Sequence, residues 1–413
     1  MECRGGSCLI LSMNYVTVTA PRAFNPCSIL LPPSKSVANR MLTLAALCGI
    51  KPQSVLQGPL DDLCDDIRVL AQLVQSSDEL VDVGAAGTAM RFGTAYLSVT
   101  SGKHIITGTP RLQSRPIGLL VDALRQLGAD IQYISNEGYP PLCINGNPSM
   151  SGGRVRLKGN VSSQFISALL MIAPTLDGGL TLCLEGEVVS RPYIDLTIGL
   201  MQRFGADVRW ADANTIRVEA TGLTPPQSPD IEADWTAASY WYEIATLGKT
   251  DAIAFGSQLN HGSMQGDKVC DEIFKAISNS TALFCYDFTL CPDLAQTIVV
   301  TCCMMRRRFR FTGLQTLRIK ETDRIEALRV ELEKLGYVLH TTDSTIEWDG
   351  TTTPAAVQPL IGTYNDHRMA MAFAPCAITL GSIRIADPGV VTKSYPTFWR
   401  HLQQAGFNLS YNK

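Results

Sequence analysis

Several short stretches of this chain bring cations together with hydroxyls or carboxylates. In Pro32-Pro33-Ser34-Lys35-Ser36 a loop turns into an apolar run with Asn39 and Arg40 on its first turns. Free backbone N–H groups at a helix start, with a lysine and an arginine beside them, suit an oxyanion. A second opening, Val161-Ser162-Ser163-Gln164, offers three hydrogen-bonding side chains where N-capping uses one, which favours a ligand. Arg115, Arg191 and Arg324 stand at matching places ahead of amphipathic runs. Arginine there opposes the helix macrodipole, so three such placements suggest an anion shared between charge and dipole. Lys320-Glu321-Thr322-Asp323-Arg324 sets two cations around carboxylates. Neighbouring cations keep a carboxylate ionised, able to hold, give or take a proton. Tyr364-Asn365-Asp366-His367-Arg368 opens another apolar run, and its charges cannot all enter a core. Taken singly, each stretch has a plainer reading as a capped helix, a surface arginine or a salt-bridge network. Together they imply cations and helix N-termini gathered at a cleft with one or two carboxylates, matched to a small substrate bearing two or more negative groups.

The elements that must position these groups form a repeat. Ile117, Leu120, Val121, Leu124 and Leu127 fall at helical spacing and end in Gly128-Ala129-Asp130. Ile194, Ile198, Met201 and Phe204 end in Gly205-Ala206-Asp207, and Ile325, Leu328, Leu332 and Leu335 end in Gly336-Tyr337. Each reads as an amphipathic helix whose C-terminal glycine turns the chain into a strand, at 131–134, 208–210 and 337–340. A second kind of helix, apolar almost all round and therefore buried, starts near Ser36, Gly87, Ser162, Asp234, Asp293 and Asp366. Six instances predict six α/β units in two groups of three. The loop at Pro225, Pro226 and Pro229 and the loop 31–34 are the expected crossings between two domains. That makes 34–232 a continuous domain and joins 1–33 to 233–413 as a discontinuous one.

Composition excludes other classes. A chain of 413 residues, 46% hydrophobic and 18% charged, is globular and long enough for two cores. A formal net charge of -3 gives no global field for nucleic acid, so any anion site is a local concentration of Lys and Arg. The run Arg306, Arg307, Arg308 and Arg310 reads as a solvated turn entering a strand. The 13 cysteines show no C-x-x-C pairing, which points to free thiols in a reducing compartment, without zinc. No stretch is long enough for a membrane span, and no targeting signal is visible, so the cytoplasm is the expectation.

The chain resembles the 5-enolpyruvylshikimate-3-phosphate synthase family. The resemblance rests on LPPSKSVANR, GAAGTAMR, PRLQSRPIG, VSSQFISALLMIAP, SRPYIDLTIGLM, SMQGD, PDLAQTI, IKETDRIEAL, YNDHRMAMAF and TKSYPTF, in the family's order from about residue 31 to 400. It implies a two-domain inside-out α/β barrel of three βαβαββ-like units per domain, closing on substrate, with no metal or organic cofactor and a monomer as the expected state. It implies that Lys35, Ser36, Arg40, Ser162, Ser163, Gln164, Ser190, Asp293 and Lys320 hold shikimate 3-phosphate. It also implies that Lys35, Gly87, Arg115, Gln164, Arg324, Arg368 and Lys393 hold phosphoenolpyruvate, with Arg91 and His367 nearby. Asp293, Glu321, Lys35 and Lys393 are the implied catalytic residues of an addition–elimination reaction.

The chain departs from the family pattern at Ala85, where Asn is usual, at Phe92, where Pro is common, and at Thr316, where an Asn usually helps bind the shikimate phosphate. The stretch 267–293 is short, with a helix at 271–277 and one strand-like run at 281–289, so the unit's usual hairpin is trimmed. Residues 1–12 precede the family's usual start, so Met13 is read as the initiator and the extension as disordered. A related transferase acting on a UDP-amino sugar is the nearest rival, but its reactive cysteine is missing from the loop 111–115. A non-catalytic, anion-binding descendant is the rival from another class.

Overall fold

The computed structural model describes residues 14–56, 63–227, 230–279 and 282–412. The expectation for residues 1–12 lies outside these.

The described residues open with β1 (Tyr15–Thr19) and β2 (Cys27–Ser28), followed by α1 (Lys35–Leu47) and α2 (Asp65–Leu73). A first complete unit follows: β3 (Leu80–Asp82), α3 (Gly87–Ser98), β4 (Gly102–Thr107), the short α4 (Pro110–Gln113), α5 (Gly118–Gln126), β5 (Asp130–Tyr133) and β6 (Leu142–Gly146). The next comprises β7 (Ser151–Lys158), α6 (Ser163–Ile172), β8 (Asp177–Glu185), α7 (Arg191–Arg203), β9 (Val208–Trp210) and β10 (Thr215–Val218). Beyond the proline-rich loop come α8 (Trp235–Gly248), β11 (Ile253–Ala254) and α9 (Cys270–Asn279). A third complete unit is β12 (Phe284–Asp287), α10 (Ala295–Met304), β13 (Phe309–Thr312), α11 (Arg324–Lys334), β14 (His340–Thr341) and β15 (Ile346–Trp348). The last contains β16 (Leu360–Ile361), α12 (His367–Phe373), α13 (Ala377–Leu380), β17 (Ser382–Ala386), α14 (Phe398–Gln404) and β18 (Asn408–Asn412).

Four sheets repeat one pattern of two parallel strands followed by two antiparallel ones: β3-β4-β6-β5, β7-β8-β10-β9, β12-β13-β15-β14 and β16-β17-β1-β18. The fourth is completed by the other end of the chain, because β1 pairs with both β17 and β18. The sheets stay separate and open.

The helices expected to be buried are the inner ones. Every residue of α10 and α12 is buried, as is all of α6 after its first two residues. Helices α1, α3 and α6 pack on one another, and α10 packs on α8 and α12. Apolar side chains form two clusters, one drawn from residues 37–218, the other from 16–31 and 233–407. The chain passes between them at two adjacent points. Pro33 and Ala233 face each other in an antiparallel bridge, flanked by Ser34 N–H donating to Glu232 O at 2.8 Å and Asp234 N–H to Pro32 O at 3.0 Å. Ser34 and Asp234, the residues that follow, are the N-caps of α1 and α8.

Among the described residues the unit containing α8 and α9 has no closing hairpin, as expected, and β12 belongs to the next sheet, parallel to β13. A second shortening, unmarked in the sequence reading, follows α2: only residues 74–79 separate it from β3. The strand expected at 337–340 is reduced to β14, because Val338 N–H bonds Thr351 O and Tyr337 pairs with Thr352 outside the ladder. The arginine run is the turn into β13, with Arg306 and Arg308 exposed.

Leu169 on α6 is fully buried in the first cluster. Leu169→Ala should therefore cost about 2–5 kcal/mol, through lost burial and a residual cavity, read as a fall in the urea denaturation midpoint.

Candidate active site

Between the two clusters lies a cavity of about 410 Å³. It is lined by the openings of the buried helices on one side and by the segment 316–324 and α12 on the other. Free N–H groups and positive dipole ends are thus concentrated at its wall.

Arg324 is the centre of its charge network. The guanidinium is almost wholly buried and donates Nη1 to Asp293 Oδ1 at 3.0 Å, Nη2 to Glu321 Oε2 at 2.9 Å and Nε to Asp366 Oδ2 at 2.7 Å. Asp366 also caps α12 by accepting the Arg368 N–H at 2.9 Å. Arg368 Nη2 lies 3.0 Å from Asp293 Oδ2, Tyr193 donates its hydroxyl to the same oxygen at 3.1 Å, and Lys320 Nζ stands 3.9 Å from Oδ1. Burial raises the Asp293 pKa, but Arg368, Lys320 and Arg324 together overcome it and hold the carboxyl well below the usual range. Glu321 has the same balance: burial opposes ionisation, while Lys393, at 2.9 Å from Oε1, and Arg324 keep it a carboxylate. Burial pushes the Lys35 ammonium down, yet Asp66, 3.1 Å away, and Glu321 together more than offset this and the pKa is raised. Burial and the charges of Lys35 and Arg368 hold His367 well below its ordinary value, so it is neutral.

The opposite wall carries cations without such partners. Arg91 and Arg115 make no ion pair among the described residues, and the Nε of each is buried without a hydrogen-bond partner. Burial, then Arg115, pushes Arg91 down to about 9. Gly87 makes room for this pair, since a Cβ there would fall 2.8 Å from Arg115 Nη1. Gln164 Nε2 donates to Thr88 Oγ1 at 3.0 Å, which turns its amide along the cavity wall.

Of the residues singled out in the sequence, Lys35, Gly87, Arg115, Ser162, Ser163, Gln164, Ser190, Asp293, Lys320, Glu321, Arg324 and Arg368 all line this one cavity. Lys393 joins it through Glu321, and its Nζ also donates to Ala85 O at 3.3 Å across the cleft. Arg40 is placed elsewhere: its guanidinium is spent on Thr197 at 2.7 Å, Ser36 O at 2.8 Å, Ser167 at 3.1 Å and Tyr193 O at 3.2 Å. Ser36, which offers Arg40 its carbonyl, is likewise outside the lining. Arg191 does not share the placement of Arg115 and Arg324. It stacks on Trp210 at 4.0 Å and faces Asp195, because the following Pro192 and Tyr193 take the inward positions. Asp66, Tyr193 and Lys158 were missed. Four aspartates within 61–66, and a tyrosine two residues after Arg191, were the available signals.

The family model of EPSP synthase (3-phosphoshikimate 1-carboxyvinyltransferase) matches residues 61–402. The chain belongs to this family. A curated relative from Bacteroides fragilis, named 3-phosphoshikimate 1-carboxyvinyltransferase, is 50% identical over 92% of this chain and 96% of its own length. One of the same name from Bordetella parapertussis is 37% identical over 90% of this chain and 93% of its own. Among solved structures, the EPSP synthase of Acinetobacter baumannii superposes with a TM-score of 0.73 at 21% identity, covering 97% of this chain and 100% of that one. The expected family and α/β fold are borne out. Among the described residues no helix is long and apolar enough to cross a membrane, and no group of His, Cys, Asp and Glu is arranged to hold a metal ion.

Beside the cavity, Asp267 is buried and accepts a hydrogen bond from Thr236. Burial and the nearby Asp293 charge push its pKa up to about 7. An unfolded Asp loses its proton near pH 4, so between about pH 4 and 7 the folded chain holds more protons and stability falls as pH rises. Asp267→Asn should flatten this part of the pH profile of the thermal midpoint.

Proposed function

We propose that this chain transfers the enolpyruvyl group of phosphoenolpyruvate to the 5-hydroxyl of shikimate 3-phosphate, releasing phosphate. The observation that carries the reading is the pair of ionised carboxylates, Asp293 and Glu321, held by one buried guanidinium within a cavity that Lys35, Arg91, Arg115, Lys158, Lys320 and Arg368 also line. Two anionic substrates need such cations. The reaction needs two proton-handling groups, one at the attacking hydroxyl and one at the methylene carbon.

In this reading Asp293 accepts the proton of the 5-hydroxyl as its oxygen bonds to C2 of phosphoenolpyruvate. The Lys393 ammonium, 2.9 Å from Glu321, gives a proton to C3, which becomes a methyl group. In the second step the C2–O bond to phosphate breaks, a methyl proton passes to Glu321, and the double bond re-forms. The proton on Glu321 then returns to Lys393 across their 2.9 Å contact, and the proton on Asp293 leaves with the phosphate, so the products are enolpyruvyl shikimate 3-phosphate and hydrogen phosphate and the residues are restored. Arg115, with Arg91 behind it, takes up the charge that grows on the departing phosphate, at a wall where neither makes an ion pair among the described residues. Lys35 lies beside the reacting groups as a fixed positive charge, and its pairing with Asp66 supports that role. Shikimate 3-phosphate is held by Ser162, Ser163, Gln164, Ser190 and Lys320, and phosphoenolpyruvate by Lys35, Gly87, Arg115, Gln164, Arg324, Arg368 and Lys393. Arg40 and Ser36 contribute as the scaffold of α1 in the arrangement described.

The reading includes two domains, 34–232 and 1–33 with 233–413, hinged at the Pro33–Ala233 crossing and closing to exclude water. Contacts already spanning the cleft support it: Tyr193 to Asp293, Lys393 to Ala85 and Thr392 to Asp65 at 2.6 Å. It also includes a monomer in the cytoplasm acting on small molecules without nucleic acid or membrane. The free cysteines of the described residues suit a reducing compartment.

The test is phosphate release from phosphoenolpyruvate by the purified protein. Release should depend on shikimate 3-phosphate, and its absence despite binding of both compounds would overturn the reading. Asp293→Asn should lower kcat about 100- to 10,000-fold, the usual span for losing a general base, with the KM for phosphoenolpyruvate changed far less.

A further inference from the structure

Cations at the cavity differ in whether they already have a carboxylate. Lys35 faces Asp66 at 3.1 Å, Lys320 faces Asp293 at 3.9 Å, and Arg324 and Arg368 both reach Asp293 at 3.0 Å. Lys158 also lines the cavity, yet it makes no ion pair among the described residues, although β7 runs beside acidic chain. Glu185, its partner in the β7–β8 register, lies 3.8 Å from Arg156 instead.

The backbone under Lys158 is fixed. Gly159 N–H donates to Glu185 O at 2.7 Å and Gly159 O accepts from Val189 N–H at 3.2 Å. A Cβ on Gly159 would meet Glu187 O at 2.6 Å, so this close approach holds only with glycine. The end of β7 is thereby tied to the loop that delivers Ser190, and four residues on the chain reaches Ser162 at the opening of α6. From the other half, Thr316 and Lys320 line the same cavity, and the buried Thr316 Oγ1 has no hydrogen-bond partner among the described residues. Three hydroxyls and two ammonium groups make a donor-rich pocket with an unmet hydroxyl. A phosphomonoester, with three terminal oxygens and close to two negative charges, is the group that such a set takes.

We propose that Lys158 is a further substrate-binding residue, whose ammonium meets the phosphate of the phosphorylated hydroxyl substrate together with Ser162, Ser190, Thr316 and Lys320. The inference rests on the functional reading above. It assigns the phosphate end of shikimate 3-phosphate to a site that is cationic from both halves of the cleft. Thr316 is shorter than an asparagine, and Lys158 adds a charged donor from the opposite wall to the one that Lys320 supplies. Lys158 has no part in the proton transfers, so its effect falls on binding.

The test is calorimetric titration of shikimate 3-phosphate into the wild-type protein and into Lys158→Met, Lys158→Glu and Lys158→Arg, with steady-state kinetics alongside. Losing one charge-assisted hydrogen bond should weaken binding about tenfold in Lys158→Met. Lys158→Glu should lose more, and Lys158→Arg should stay near wild type. The KM for phosphoenolpyruvate and kcat should change less than about twofold. Wild-type affinity in Lys158→Met would overturn the inference and leave the enzymatic reading intact. If the wild type binds shikimate 3-phosphate without turnover, the enzymatic reading fails while a tenfold loss in Lys158→Met still supports the phosphate site. If the wild type does not bind shikimate 3-phosphate, both fall.

Discussion

The constraint on which the rest depends is the buried guanidinium of Arg324 and its three carboxylates, Asp293, Glu321 and Asp366. A buried charge is costly unless it is paired and hydrogen-bonded, and breaking such a pair from one side typically costs about 3–5 kcal/mol. Here the pairing ties four chain segments together: Asp293 before α10, the loop carrying Glu321, the first turn of α11 and the cap of α12. Arg368, Lys320 and Arg324 around Asp293, and Lys393 and Arg324 around Glu321, hold both pKa values down despite burial. A network with this geometry is therefore a fixed electrostatic template, and its two cavity-facing carboxylates stay ionised when anionic substrates arrive.

The fold makes that template affordable by supplying helix ends. In a protein whose inner layer is helical and whose sheets are outside, the buried helices cannot cap their N-termini with water. Four of the six are capped by side chains, Ser34, Ser162, Asp234 and Asp366. Asp366 serves both roles, accepting the Arg368 N–H and the Arg324 guanidinium. The cleft is thus the place where the dipoles of the inner helices and the side-chain cations add. The two walls then differ in charge pairing: the cations of the 293–368 wall meet carboxylates, whereas Arg91 and Arg115 on the facing wall make no ion pair among the described residues.

Most of this was legible in the sequence because periodicity and caps are local. Starts of all six inner helices could be read from small polar residues followed by unbroken apolar runs, since burial on every side admits no polar face. The clustering of Lys35, Arg115, Arg324 and Arg368 was legible only in kind, because separate helix openings look alike whether they meet or not. Arg191 illustrates the failure. It occupies the same position relative to its helix as Arg324, but Trp210 on β9 offers a face on which its guanidinium stacks at 4.0 Å. The destination of a long side chain is set by tertiary neighbours, and sequence spacing does not encode them. Asp66 and Lys158 were missed for a related reason: an acidic run and a strand-end lysine have solvated surfaces as their ordinary surroundings.

The two shortened units bear on whether the site could survive the departures from the family pattern. Hairpins belong to the outer sheets, while the residues at the cleft sit on helix openings and the turns before them. Losing a hairpin therefore removes outer cover without moving Lys35 on α1 or Asp234 at the cap of α8. In keeping with this, Asp234 Oδ2 still accepts the Lys35 N–H at 3.2 Å, and both shortened units meet at that contact. The substitution at position 85 is tolerated by a similar argument. Lys393 reaches the carbonyl oxygen of Ala85, a backbone group that any residue would provide. Phe92 is accommodated in the core, fully buried with the Arg40 guanidinium 5.5 Å from its ring centre. That contact helps to explain why Arg40 is drawn inward to Thr197 and Ser167, away from the cavity. The changes thus fall on the layers that support the cleft, and the charges at its surface are retained.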